Sequence, residues 1–130
     1  MKILTIRTDN PEAEIGLYDN DKQLAYEIWQ AHRQLAETIH QQITTMLQSM
    51  GADWDNIQGI VVFQGPGSFT GLRIGISTAN ALAYGLEVPL VAEQDEDWIR
   101  AGISRLQTGA LDKQAVPEYG SPVHITTPKK

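Results

Sequence analysis

The residues best placed to do chemistry form one stretch, Gly65-Pro66-Gly67-Ser68-Phe69-Thr70-Gly71-Leu72-Arg73-Ile74-Gly75. It follows an apolar run, Ile60-Val61-Val62-Phe63, and leads into a helix-like segment that ends near Gly85. Glycine allows close backbone approach and positive φ, and proline fixes its own φ. Ser68 or Thr70 can cap the helix that follows. A strand, a glycine turn and a helix N-terminus in that order can hold an anion, because unpaired N–H groups and the helix dipole point the same way. The candidate anion or nucleotide turn is therefore Gly65, Gly67, Ser68 and Thr70. Both common phosphate fingerprints fail on spacing. The P-loop ends Gly-Lys-Ser/Thr, whereas Gly71 precedes Leu72 and the turn holds no lysine. In the Rossmann pattern the third glycine would fall at Thr70, one residue before Gly71. Spacing alone favours a tight turn with close packing over a nucleotide loop.

Other constellations are sparse. Ser68 has a glycine-rich setting but does not complete Gly-x-Ser-x-Gly. His32 and His40 are eight residues apart and His124 stands far from both, so a zinc site is not expected. Glu93, Asp95, Glu96 and Asp97 precede an apolar pattern and read as acids at a helix start, without an accompanying histidine to suggest a metal. No catalytic residue and no metal ligand is assigned.

The elements that position the glycine turn follow from periodicity. Residues 2–8 read as a strand, and 13–18 and 23–29 alternate as two more. Residues 32–50 carry Leu35, Ile39, Ile43, Met46, Leu47 and Met50 on one helical stripe, with Gly51 as the C′ residue. Residues 57–63 are a continuously apolar strand, as parallel neighbours require. A second helix over 70–84 ends at Gly85, a fifth strand covers 88–92, and a short amphipathic helix follows the acid cluster. In the second helix Gly71, Gly75, Ala79 and Ala83 recur every fourth residue and share a nearly flat face. Such a face admits another element closely, and a helix apolar or small almost all round is expected to be buried on two sides, by the sheet and by a neighbouring helix or a partner chain.

Composition narrows the class. The 130 residues suit a single domain, with residues 1–107 as one lobe and 108–130 as a loosely ordered tail rich in glycine, proline and polar residues. A net charge of −6 argues against autonomous nucleic-acid binding. The chain has no cysteine, which fits a cytoplasmic setting. Its N-terminus reads as a strand rather than a signal peptide, and no apolar run reaches the ~20 residues of a membrane span.

The eleven residues from Gly65 to Gly75, the opening Met1-Lys2-Ile3-Leu4-Thr5-Ile6 and the 32–47 helix resemble the bacterial TsaB (YeaZ) family, over roughly residues 1–95. The resemblance implies an α/β fold: a single actin-like, Hsp70-like ATPase (ribonuclease H-like) lobe with a mixed five-stranded sheet in the order βββαβαβ. It implies a non-catalytic scaffold in tRNA threonylcarbamoyladenosine (t6A) modification, supporting a TsaD-type transferase, with a TsaE-type ATPase as a further partner. The family uses its first two helices for self- and cross-pairing, which implies a partner interface of Leu35, Ile39, Gly71, Leu72, Arg73, Gly75, Ala79 and Ala83; a homodimer is expected in isolation and tRNA is met only through the complex. No cofactor is expected, with ATP or ADP only at an inter-subunit site. Two departures bear on this. Family members usually have a second lobe of similar size, which closes the nucleotide cleft. Their first strand usually ends Asp-Thr, where this chain has Arg7-Thr8, and an arginine cannot hold a cation. Asp9 is the nearest substitute for that aspartate. The alternatives are a nucleotide-binding or hydrolytic enzyme using the Gly65–Ser68 turn, in line with the family's older glycoprotease label, and a reduced paralogue that only self-dimerises.

Overall fold

The computed structural model of the chain describes residues 1–67, 69–112 and 115–116, less the side chains of His32 and Phe69. The strands are β1 (Lys2–Arg7), β2 (Glu12–Asp19), β3 (Lys22–Gln30), β4 (Gly59–Phe63) and β5 (Leu90–Glu93). The helices are α1 (Leu35–Ser49), α2 (Phe69–Leu86) and α3 (Trp98–Gln107), with single 3₁₀ turns at His32–Gln34 and Trp54–Asn56. The sheet order is β3-β2-β1-β4-β5. β1 pairs antiparallel with β2 (Leu4 opposite Leu17) and parallel with β4 (Leu4 opposite Ile60). β5 pairs parallel with β4 (Val61 opposite Val91). The expected βββαβαβ order is observed, with α3 added after β5.

The alternation of β1 divides the core. Leu4 and Ile6 face one side with Ile15, Leu17, Ile60, Val62 and Leu90; Ile3 faces the other with Val61, Phe63 and Val91. From β3 to β4 and from β4 to β5 the chain moves across the sheet in one direction. Crossovers of a single hand then put both connecting helices on the same face, and α1 and α2 do share the first core cluster. Leu35, Ile39, Ile43, Met46 and Leu47 of α1 are buried there, whereas Met50 lies past the helix and is half-exposed. α3 covers the opposite face through Trp98, Ile103 and Leu106. It lies so close that a Cβ on Gly102 would stand 2.3 Å from Val61 Cγ1.

Helix ends follow backbone chemistry in one case and not in the other. After α1, Gly51 takes φ +66°, the left-handed C′ conformation expected of it. After α2 that conformation falls on Glu87, at φ +60°, and Gly85 lies within the helix. The described start of the expected tail is anchored rather than loose: Asp112 N–H donates to Leu90 O, and Ala115 exchanges two hydrogen bonds with the Asn80 amide. Pro117, Tyr119 and His124 lie outside the described residues.

Candidate protein-interaction site

The glycine turn sits against the segment that leaves β1. A Cβ on Gly67 would stand 2.4 Å from Asp9 Cβ and 2.8 Å from Asp9 O. A Cβ on Gly75 would stand 2.1 Å from Thr8 Oγ1. Thr8 is buried, and its hydroxyl donates to Gly71 O at 2.7 Å. Gly65 is buried at φ +119°, a conformation that favours glycine. The glycines thus let α2 and its lead-in reach Thr8 and Asp9 of the same chain. Of the candidate anion residues, Gly67 shares this packing, Gly65 is buried, Thr70 is exposed in the first turn of α2, and Ser68 lies outside the described residues.

Arg7 and Asp9 form a fork at the end of β1. Arg7 Nε donates to Asp9 Oδ1 at 2.8 Å and Arg7 Nη2 to Asp9 Oδ2 at 3.1 Å. The guanidinium lies 4.0 Å from the Phe63 ring centroid. This bidentate geometry with an aromatic face beside it is what distinguishes arginine from lysine. The hydrogen bond from Asp9 raises the Arg7 pKa above its ordinary value, against the opposing effect of burial. Asp9 therefore does not stand in for the aspartate that the resemblance puts at the end of the first strand, because Arg7 engages both of its carboxylate oxygens. The pair was legible in principle: residues two apart in extended chain point to the same side, and these two carry opposite charge. Nearby, Tyr26 donates to Glu14 Oε1 at 2.5 Å, and burial followed by this bond pushes the Tyr26 pKa well above 10.0.

The expected interface is corrected on sidedness. Leu35, Ile39, Leu72 and Ala79 are buried in the chain's own core, and Gly75 is packed on Thr8. Ala83 packs against the same core, and Gly71 is half-buried with its carbonyl bonded to Thr8. The flat face meets the sheet from which α2 descends, because that face is the one able to approach it. Arg73 alone of the eight is exposed. The outward faces of α1 and α2 are different residues. Ala36, Glu37, His40 and Gln41 are exposed on α1, and Thr70, Arg73 and Ser77 on α2. A groove of about 380 Å³ runs between the helices, lined by Ala36, Thr70, Arg73, Ile74, Ser77 and Thr78. On α1, His40 stacks on Trp54, with centroids 4.9 Å apart. Among the described residues no three His, Cys, Asp or Glu side chains converge as a metal site would need.

The model of the family described as TsaD, tRNA N6-adenosine threonylcarbamoyltransferase, matches residues 29–99, more than half of the chain. The tRNA threonylcarbamoyladenosine biosynthesis protein TsaB of Escherichia coli K12 is 32% identical over 110 residues, covering 85% of this chain and 43% of that protein. The chain belongs to the TsaD/TsaB (YeaZ) family. A TsaD relative, the tRNA N6-adenosine threonylcarbamoyltransferase of Geotalea uraniireducens, is 47% identical over 60 residues, 46% of this chain and 18% of that protein. The solved structure of YeaZ from Pseudomonas aeruginosa superposes with a TM-score of 0.68 at 26% identity, over 84% of this chain and 50% of that one. The fold is the actin-like, ribonuclease H-like lobe that the sequence resemblance implies. The chain spans less than half the length of the curated relatives it matches. Among the described residues no helix is long and apolar enough to cross a membrane.

Proposed function

We propose that this chain is a protein-binding, non-catalytic component of t6A biosynthesis that supports a TsaD-type transferase in the cytoplasm. Similarity to TsaB extends over most of the chain, while similarity to TsaD covers about half of it. One observation carries the reading: α1 and α2 lie side by side with their small and apolar residues turned inward, leaving a shallow outward groove around Arg73. The proposed contact is therefore the outer strip of these helices, with Arg73 as its charged anchor. In isolation a second copy takes the partner's place there. A TsaE-type ATPase joins through the assembled complex, and tRNA is met only in that complex, consistent with an acidic chain. No resident cofactor is assigned. ATP or ADP enters only at a site shared between subunits, since Arg7 and Asp9 occupy one another at the head of β1.

Co-purification with a TsaD-type transferase, followed by t6A formation in the reconstituted mixture, tests this. Arg73→Glu is expected to weaken capture of the transferase at least tenfold while leaving the thermal unfolding curve in place, as an exposed substitution should. Capture unchanged by Arg73→Glu, or threonylcarbamoyl transfer by this chain alone, would refute the assignment. Sub-millimolar binding of ATP to the isolated chain would favour the nucleotide-turn alternative.

A further inference from the structure

The open side of β5 carries backbone groups that a parallel sheet would normally offer to a sixth strand. Pro89 O and Glu93 O accept from Ile60 N–H and Gln64 N–H of the β4 side. Residues 89, 91 and 93 therefore turn their polar groups inward, and Leu90 and Ala92 turn theirs outward. These outward groups are capped by side chains and one amide. Asp112 N–H donates to Leu90 O at 2.7 Å, Ala92 N–H donates to Asp112 Oδ2 at 2.8 Å, and Arg105 Nη1 donates to Ala92 O at 3.2 Å. Arg105 also donates to Asp112 Oδ1 and Glu93 Oε2, each at 2.9 Å, which ties the cap to α3 and to the strand. The segment beyond is clipped to α2: Asn80 Nδ2 donates to Ala115 O at 3.1 Å and Ala115 N–H donates to Asn80 Oδ1 at 2.9 Å. One aspartate and one arginine thus imitate a neighbouring strand.

We propose that this cap is an edge guard, and that the surface it covers is one on which β5 of a second copy would pair. The bare edge is self-complementary. Two β5 strands related by a two-fold axis at Val91 set Leu90 opposite Ala92 of the second copy, so that each pair exchanges both N–H···O=C bonds. Leu111 and Val116, exposed at 60% and 58%, flank the edge and add apolar surface to such a pairing. Exposed strand edges are sites of such association, and buried or charged covers suppress it.

The test uses the full chain with Asp112→Ala, the milder Asp112→Asn, and Asn80→Ala, which releases the clip without touching the edge. Each is compared with the parent by light-scattering mass and by hydrogen exchange at the Ala92 amide. The parent controls for helix-face association, which is common to all. For Asp112→Ala the expected result is Ala92 exchange faster by about tenfold, the effect of one lost hydrogen bond to a charged group, with smaller rises for Asp112→Asn, which keeps a neutral acceptor, and for Asn80→Ala, which keeps Asp112 but frees its segment; a concentration-dependent doubling of mass relative to the parent accompanies the rise. A folded Asp112→Ala variant, judged by circular dichroism, that keeps the parent's Ala92 protection would overturn the guard. Faster exchange without added mass would overturn the second-copy pairing.

Discussion

Replacing Gly75 with alanine separates a helix face packed on its own sheet from one offered to a partner, because the two predict opposite signs. The added Cβ would stand 2.1 Å from Thr8 Oγ1, 2.9 Å from Thr8 Cγ2 and 3.0 Å from Thr8 Cβ. Thr8 is 1% exposed and its hydroxyl is committed to Gly71 O. Rotating the Thr8 side chain away from an added Cβ would break that bond. Overpacking of this kind costs ~1–3 kcal/mol, and a broken or bent hydrogen bond adds ~1 kcal/mol. Alanine in place of glycine inside a helix returns ~1 kcal/mol. The net expectation is a loss of about 2 kcal/mol, read as a lower urea midpoint with an unchanged slope. If the same face were open in the monomer, only the helix-propensity gain would remain and Gly75→Ala would stabilise by ~1 kcal/mol. The double variant Thr8→Ala/Gly75→Ala sharpens the test. It removes the two closest of the three atoms, so the cycle should show a favourable coupling of about 1–2 kcal/mol. A stabilised Gly75→Ala, or a cycle that is additive, would refute the packing argument. A larger side chain at this position, as in Gly75→Leu, would disrupt the fold itself.

Two further outcomes follow from single residues. Glu87→Gly should raise stability by about 0.5 kcal/mol, since it relieves a left-handed conformation that costs a side-chain residue ~1–2 kcal/mol while adding freedom to the unfolded chain; a lower urea midpoint would contradict the φ assignment. Tyr26 is held above its ordinary pKa of 10.0 by burial and then by its bond to Glu14. The unfolded chain therefore releases this proton first, so stability is intact below pH 10 and falls as pH climbs toward the folded value. The limiting slope is about 1.4 kcal/mol per pH unit for this group. Tyr26→Phe should flatten the alkaline limb of the stability curve and leave the part due to Tyr18, also raised by burial; identical limbs would contradict the shift.

What the chain revealed in advance was periodicity, and what it withheld was sidedness. The α1 stripe from Leu35 to Leu47 was visible because its apolar residues have no soluble alternative to burial. The five strands, expected at 2–8, 13–18, 23–29, 57–63 and 88–92 and observed at 2–7, 12–19, 22–30, 59–63 and 90–93, were visible through alternation or unbroken apolarity, with their ends off by up to two residues. The small-residue stripe of α2 was equally visible, but a four-residue spacing says which residues share a face, not what that face meets. Its neighbour turned out to be Thr8, separated from Gly75 by most of the lobe's sequence. The Arg7–Asp9 fork was missed for a related reason: Arg7 was read against a family pattern rather than against the charge two residues away. The C-terminal end of α2 went to Glu87 and not Gly85, because helix length is set by what the helix packs on and propensity only adjusts it.

These corrections change what kind of partner surface the lobe offers. With Leu72, Gly75 and Ala79 spent on its own core, α2 presents Thr70, Arg73, Ser77, Ala81 and Tyr84 to the outside. A contact through that strip cannot be a smooth apolar ridge sliding into a groove. It must satisfy hydroxyls and a guanidinium, and each polar group buried without a hydrogen bond costs ~1–3 kcal/mol. Such a surface discriminates by rejecting partners that leave Arg73 unpaired, so specificity rests on a cost as much as on an attraction. α1 carries the exposed acid Glu37, of opposite sign to Arg73, so the proposed strip offers both charges to whatever docks on it. Arg73, exposed and outside both core clusters, is then the position at which the proposed association would be altered without altering the fold.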